Sequence, residues 1–201
     1  MSPRQRLPVR DKLLLLRLAR LLRQGSLLAH NTGTLPGIAA AANHRKAAIR
    51  LCRFKQRKGP FLLLADSLRT ALGLSIYLPG KLRRVMLEAW PGPTTFILLS
   101  AGAHAKNISS ACFSGRSIAV RVDADPACRY LAKLVGGLLI SSSLNRKDQA
   151  VQRPDRRLRM RWQRHLGAQF SSFSGSGNAS SLLKWTGSRL LSLRQPKTAQ
   201  D

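Results

Sequence analysis

Acidic residues are scarce in this sequence. Its 201 residues contain 8 aspartates and glutamates against 35 lysines and arginines, for a formal net charge of +27. Such an excess makes the folded chain repel itself and favours polyanions as partners, such as nucleic acid, nucleotides or an anionic membrane surface. The hydrophobic fraction of 44% is ordinary for a globular protein, so the charge does not predict a disordered chain.

Cysteine is also scarce, and the spacing of the three cysteines excludes two kinds of site. Cys52, Cys112 and Cys128 are odd in number and form no C-x-x-C pair. Neither a disulfide framework nor a cysteine zinc site is therefore expected. The four histidines are dispersed without metal-ligand spacing. We expect no protein-bound metal and a reducing, cytoplasmic location.

Near the N-terminus, no apolar run is long enough to cross a membrane. The longest, Leu13 to Leu16, is far below the roughly 20 residues of a transmembrane helix. The segment is rich in arginine and nearly free of acids, as in a transit peptide. Its leucines recur at helical spacing from Leu14 to Leu22, which predicts an amphipathic first helix packed on the fold. A targeting or membrane-surface helix is the alternative, and no membrane partner is expected.

Apolar strands and helical segments alternate along the chain. A helix is predicted from about Ala40 to Phe54, and another begins at Asp125-Pro126 and runs to Leu134. Apolar or alternating runs predict five strands: SLLAH, FLLLA, TTFILLSA, SIAVRV and GGLLISSS. This alternation predicts an α/β fold.

The character of the chain changes after about residue 145. A densely cationic stretch around Trp162 leads into a Gly/Ser-rich stretch. The cationic stretch either contacts nucleic acid, with Trp162 stacking on a base, or is a solvated tail. The final segment, LLKWTGSRLLSLR, either docks as a terminal strand or stays loose.

The stretch RFKQRKG, residues 53–59, places several cations between the predicted second helix and the strand FLLLA. Two interpretations compete: a solvated basic turn, or a cradle for phosphate groups. Motifs elsewhere in the chain decide between them.

Five short motifs carry a resemblance to a known family. They are Thr32 in a turn, Lys55-Gln56-Arg57, Trp90-Pro91-Gly92-Pro93-Thr94-Thr95, Ala119-Val120-Arg121-Val122 and Ser141-Ser142-Ser143-Leu144-Asn145. In this order and spacing the chain resembles the TsaC/YrdC family, the threonylcarbamoyl-AMP synthases. Residues 12–145 match best and about 175–194 more loosely. The turn at 31–38 departs from the family's usual sequence, because it lacks a proline before Thr32 and a glutamate after it.

The resemblance implies a fold and an activity. The fold would be a single YrdC-like domain over residues 1–194, with a twisted, mostly buried sheet flanked by helices around a basic cleft, and a tail at 195–201. Within it, 146–180 would be the basic and then Gly/Ser-rich segment. The activity would be synthesis of threonylcarbamoyl-AMP from L-threonine, bicarbonate and ATP, with release of pyrophosphate. The product would supply the threonylcarbamoyl group for modification of adenosine in tRNA. Other tRNA-modification proteins would be partners in that process.

The resemblance also implies site residues. The catalytic set would be Lys55, Arg57, Ser143 and Asn145. The residues that bind substrate or ATP would be Thr32, Thr34, Arg121, Ser141 and Ser180. ATP would bring Mg²⁺, held mainly by phosphates and water. The alternative is a catalytically impaired YrdC-fold protein that binds double-stranded RNA, tRNA or rRNA through its charge.

The chemistry of adenylyl transfer agrees with these residue types. Pyrophosphate leaves the α-phosphate, so the site needs positioning and positive charge more than a nucleophilic side chain. Arg57 can bind a phosphate or carboxylate through two parallel hydrogen bonds, and Lys55 acts as a point charge. We therefore interpret RFKQRKG as a turn that faces phosphate.

Overall fold

Helices and strands both occur along most of the described chain. The computed structural model describes residues 7–101, 107–144 and 175–195 and the backbone of 168–169. Within these residues the helices are α1 (Val9–Arg23), α2 (Arg45–Lys55), α3 (Leu68–Leu72), α4 (Gly80–Ala89) and α5 (Pro126–Leu134). The strands are β1 (Leu28–His30), β2 (Gly37–Ala41), β3 (Leu62–Ala65), β4 (Thr94–Leu99), β5 (Phe113–Ser114), β6 (Ser117–Val122), β7 (Leu138–Ser143), β8 (Ala168–Gln169), β9 (Ser181–Trp185) and β10 (Leu190–Arg194).

The strands of the described part form one mixed sheet. Their order is β10-β9-β4-β6-β3-β7-β2-β1-β8, and β5 pairs with β6 outside this path. The central strand β3 runs parallel to β6 and antiparallel to β7. The predicted α/β class, with one large sheet and flanking helices, is confirmed.

Each face of the sheet carries its own hydrophobic core. On one face, α1 and α5 pack against alternate residues of the central strands, including Ala39, Leu64 and Leu139. On the other face, α2 and α4 pack against the intervening residues, including Ile38, Leu63 and Ile140. Because both faces of these strands are covered, the strands read as continuous apolar runs.

The first helix packs on the fold, as its amphipathic pattern predicts. Its buried face consists of Leu15, Leu18, Ala19 and Leu22, whereas Leu14 remains 45% exposed. No helix within the described residues is both long enough and apolar enough to span a membrane.

The predicted helix from Ala40 to Phe54 is wrong at its start. Residues Gly37–Ala41 form β2, an entirely buried strand between β1 and β7, and α2 begins only at Arg45. Alanine favours helices, but the small side chains of this run suit a strand pressed between helices on both faces. The His44 side chain accepts a hydrogen bond from the Ala47 amide at 3.2 Å and so caps α2.

The C-terminal segment docks on the sheet rather than staying loose. Strand β9 pairs in parallel with β4, and β10 returns antiparallel to β9. The Ser181 amide donates to the Pro93 carbonyl oxygen at 3.1 Å, which places the start of β9 beside the W-P-G-P segment that precedes β4. The cationic stretch around Trp162 and the residue Asn145 lie outside the described residues.

Candidate active site

A cavity of about 320 Å³ lies on the sheet face that also carries the core formed by α1 and α5. Alternate positions of neighbouring strands supply its floor, such as Thr95 and Ile97 in β4, Ala119 in β6, and Ser141 and Ser143 in β7. Apart from Ile97, these side chains are short or polar, so they do not continue the hydrophobic core. The cavity therefore occupies the part of this face that the two helices leave uncovered.

The threonine-bearing turn forms one wall of the cavity. The Thr32 hydroxyl donates to the Leu35 carbonyl oxygen at 2.7 Å and lies 3.0 Å from the Thr34 hydroxyl. The Arg121 guanidinium donates to Thr34 Oγ1 at 2.9 Å, and its Nη2 lies 2.5 Å from Asp123 Oδ2. Asp123 in turn accepts from the Gly33 amide at 2.7 Å. One buried ion pair thus joins the turn to the end of β6.

The KQR turn forms a second wall. Gln56 has a left-handed backbone, φ 53°, which ends α2 and directs the chain towards β3. Arg57 lines the cavity, where its Nη2 lies 3.4 Å from the Ser142 hydroxyl and its Cζ lies 4.6 Å from the centre of the Phe61 ring. Lys55 is only 3% exposed and donates from Nζ to the Ser143 carbonyl oxygen at 2.8 Å.

Burial affects the titration of both cations. It lowers the pKa of Lys55 to about 8, with a further contribution from the charge of Arg57. Burial also lowers the pKa of Arg57. Concentrated positive charge in a partly desolvated site costs free energy, and an anionic ligand would offset that cost.

A third wall comes from the C-terminal hairpin. The Ser180 hydroxyl lies 3.0 Å from the Thr95 hydroxyl and accepts a hydrogen bond from Arg194 Nη2 at 3.1 Å. Arg194 also donates from Nε to the Ser180 carbonyl oxygen at 2.9 Å. Burial, and then the charge of Arg121, lowers the pKa of Arg194.

Beside the floor of the cavity, next to Gly37 and Ser141, lies His30. It is 1% exposed, and its Nε2 lies 3.1 Å from the Ser141 hydroxyl. Burial lowers the pKa of His30 to about 4, against opposing effects of the Asp123 charge and the Asn31 backbone. The imidazole is therefore neutral near pH 7.

Most residues predicted from the sequence meet at this cavity. Those that line it are Thr32, Thr34, Arg57, Arg121, Ser141, Ser143 and Ser180. Lys55 joins them through its bond to Ser143, whereas Asn145 lies outside the described residues. Their individual roles stay predictions.

Sequence reasoning missed three residues at or beside the cavity, namely His30, Thr95 and Arg194. Thr95 stands inside the W-P-G-P-T-T-F motif, so that motif could have indicated it. Arg194 is one basic residue among 35, and His30 one of four dispersed histidines. Nothing in the local sequence of Arg194 or His30 distinguishes it from a surface residue, because only the pairing of the strands places the two residues at the cavity.

The cavity has a strongly positive character. Its described lining includes Arg57, Arg121 and Arg194 and no carboxylate. Between described residues, the one ion pair is Arg121–Asp123, so a nearby carboxylate neutralises only one of the three arginines. No group of three or more described histidine, cysteine, aspartate or glutamate residues is arranged to hold a metal ion. The site thus suits an anionic ligand.

Comparison with known proteins identifies relatives of this chain. The Sua5/YciO/YrdC family model, described as telomere recombination, matches residues 20–195. The threonylcarbamoyl-AMP synthase of Stenotrophomonas maltophilia is 35% identical over 128 residues, which cover 62% of this chain and 67% of the relative. That of Halorhodospira halophila is 33% identical, over 62% of this chain and 64% of the relative. The enzyme of Alkalilimnicola ehrlichii is 32% identical over 74% of each chain.

Solved structures share the fold. Sua5 of P. abyssi, complexed with L-threonine, superposes with a TM-score of 0.80 at 20% identity and covers 96% of this chain. This chain spans 56% of that protein. YciO of E. coli gives a TM-score of 0.77 at 18% identity, over 92% of this chain and 90% of YciO. The family model, these relatives and the shared fold agree, and the chain belongs to the Sua5/YciO/YrdC family.

Proposed function

We propose that this protein is an L-threonylcarbamoyladenylate synthase. It would convert L-threonine, bicarbonate and ATP into threonylcarbamoyl-AMP, pyrophosphate and water, for threonylcarbamoyl modification of adenosine in tRNA. The observation that carries the proposal is the cavity itself, which gathers arginines and hydroxyl groups from five motifs far apart in the sequence. The names of the relatives, at 32 to 35% identity, support the same activity.

The width of the cavity suits an extended ligand. Arg57 stands beside β7 and Arg194 beside β4 and β9. Strands β4 and β7 are three inter-strand spacings apart in the sheet, about 14 Å at 4.8 Å per spacing. Cationic side chains that contact separate strands along this width can together hold the phosphates and the amino-acid part of one adenylate.

The chemical work of this chain would be electrostatic. As pyrophosphate leaves the α-phosphate, negative charge develops on oxygens near the KQR wall. Lys55 and Arg57 would stabilise that charge, and Ser143 would orient the reacting groups. The described lining offers no carboxylate for Mg²⁺. We therefore propose that any Mg²⁺ arrives with ATP and is held by phosphates and water.

Pyrophosphate release tests the proposal. Wild-type protein with ATP and bicarbonate is expected to release pyrophosphate only when L-threonine is present. The Lys55→Ala, Arg57→Ala double variant is expected to release it about a hundredfold more slowly, because two charges that face the phosphates are lost. Lys58→Ala is a matched control, since Lys58 is exposed and absent from the cavity lining. Release that needs no threonine, or an unaffected double variant, would contradict the proposed activity.

The pKa of Lys55 leads to a separate prediction for ATP affinity. Since that pKa is about 8, the ammonium group is charged at pH 7.5 and largely neutral at pH 9.5. A bound phosphate favours the charged form, so ATP should bind about tenfold more weakly at pH 9.5. Calorimetric titration at the two pH values would measure the change. Lys55→Met should bind weakly at both, and an unchanged wild-type affinity would exclude contact between Lys55 and phosphate.

A second candidate function, RNA binding, has its own observation. The outer face of α2 presents Arg45, Lys46, Arg50 and Arg53 and contains no acidic residue. Between residues that the structure describes, Arg121–Asp123 is the one ion pair. No carboxylate in the described part of the chain therefore neutralises these four cations. We propose that this face contacts the phosphates of tRNA. Binding should then weaken steeply between 50 and 200 mM salt. Tight, salt-sensitive tRNA binding without pyrophosphate release would favour the catalytically impaired alternative.

The location is the last part of the proposal. All three cysteines are free thiols, which suits a reducing compartment such as the cytoplasm. Burial raises the pKa of Cys112 to about 12 and that of Cys128 well above its ordinary value, so both are inert as nucleophiles.

A further inference from the structure

The contact between His30 and Ser141 spans three strands. His30 ends β1, Ser141 lies in β7, and Gly37 of β2 lies between them in the sheet. A Cβ on Gly37 would lie 2.7 Å from His30 Nε2 and 3.1 Å from Ser141 Oγ. The hydrogen bond therefore passes directly over the glycine, and a side chain at position 37 would disrupt it.

The two residues differ in their access to the cavity. Ser141 and Gly37 line it, whereas His30, on the same face of the sheet, is not part of the lining and is 1% exposed. His30 therefore offers no surface for direct contact with a ligand in the cavity. Any influence that it has on a ligand passes through the Ser141 hydroxyl.

The hydrogen-bond partners of the imidazole indicate where its proton lies. Nε2 lies 3.1 Å from Ser141 Oγ, whereas Nδ1 is buried and makes no hydrogen bond of acceptable length and angle, although the nearby Asn31 backbone raises the pKa of the ring. A proton on Nδ1 would bury an unsatisfied N–H group, but a proton on Nε2 is donated to the serine oxygen. The favoured tautomer thus makes Ser141 an acceptor towards His30.

We propose that His30 is a positioning residue that holds the Ser141 hydroxyl as a hydrogen-bond donor towards an anionic oxygen of the substrate. Having accepted from His30, the hydroxyl directs its own hydrogen away from the imidazole and into a cavity lined by three arginines. The inference rests on the proposed function, since ATP and L-threonine supply the phosphate and carboxylate oxygens that such a donor would bind. A serine without the histidine could rotate and would lose this fixed direction.

A double-mutant cycle tests the proposal. ATP and L-threonine are titrated separately into wild type, His30→Phe, Ser141→Ala and the double variant. Each single variant is expected to lower the affinity for one of these two ligands about tenfold. The double variant should lose no more than either single variant, because both changes remove one donor. His30→Gln should retain most of the affinity, since its amide can donate at the position of Nε2.

Two results would overturn the proposal: additive losses, of about a hundredfold in the double variant, or full affinity in His30→Phe. Nitrogen NMR of wild-type protein reports which ring nitrogen of His30 carries the proton. It needs no variant, so it tests the proposal even if His30→Phe does not fold. A proton on Nε2 supports the proposal, and a proton on Nδ1 overturns it. Failure of wild type to bind either ligand would overturn the proposed function instead, and the NMR result would still report the orientation of Ser141.

Discussion

Replacing Asp123 with alanine is expected to lower the free energy of unfolding by about 3–5 kcal/mol, because the charge of Arg121 would remain buried without its partner. Arg121 is 2% exposed and Asp123 is 1% exposed, so water cannot replace the lost carboxylate. Asp123 also accepts hydrogen bonds from the amides of Gly33 and Asp125, and both would be lost. Urea unfolding at constant pH and salt measures the change, provided that the m-value is preserved.

Asp125→Ala is the matched control for this prediction. Asp125 lies two residues away, and its carboxylate caps α5 by accepting from the Ala127 amide at 2.8 Å. Removal of an N-cap costs about 1 kcal/mol. If Asp123→Ala proves no more destabilising than Asp125→Ala, the charge of Arg121 must be solvated in the variant, and the ion pair does not secure the threonine-bearing turn.

The second large effect concerns pH. The pKa of His30 falls from an ordinary 6.5 to about 4 on folding. Below pH 6.5 the unfolded chain therefore takes up a proton that the folded chain does not. The free energy of unfolding should decrease between pH 6.5 and pH 4, by about 3 kcal/mol in total at 1.36 kcal/mol for each pKa unit. Above pH 6.5 His30 contributes no pH dependence.

His30→Gln isolates this contribution from other acid effects, such as repulsion within a chain of charge +27. The variant keeps a buried polar side chain but has no titrating group at this position. Denaturant unfolding of both proteins at pH 7 and pH 4.5 gives the difference. If the two proteins lose equal stability on acidification, then either the folded protein protonates His30 readily or the imidazole is accessible to water.

The sequence predicted the strands better than the extent of the second helix. FLLLA and SIAVRV were recognisable because strands buried on both faces or paired at the sheet centre have few polar residues. The run Gly37–Ala41 was misread because alanine favours a helix in isolation. Only the packing of helices on both faces of β2 explains why small residues are needed there.

The motifs that carry the family resemblance also predicted most of the candidate site. Thr32, Arg57 and Arg121 each belong to one of these motifs, and all three line the cavity. His30 and Arg194 could not be found in this way. The pairing of β1 with β2 places His30 beside the cavity. The pairing of β9 with β4, and of β10 with β9, places Arg194 there.

The sequence by itself determined the class of the fold, the excess of positive charge and the order of the motifs that the family shares, because these depend on composition, on local periodicity and on short runs of residues. The tertiary structure decided which cations share the cavity and which one is neutralised by a carboxylate. It also decided that Gly37 leaves room for His30 to reach Ser141, which lies two strands away in the sheet. This contact joins residues 111 positions apart, so it depends on which strands pair with one another and not on the local sequence around either residue.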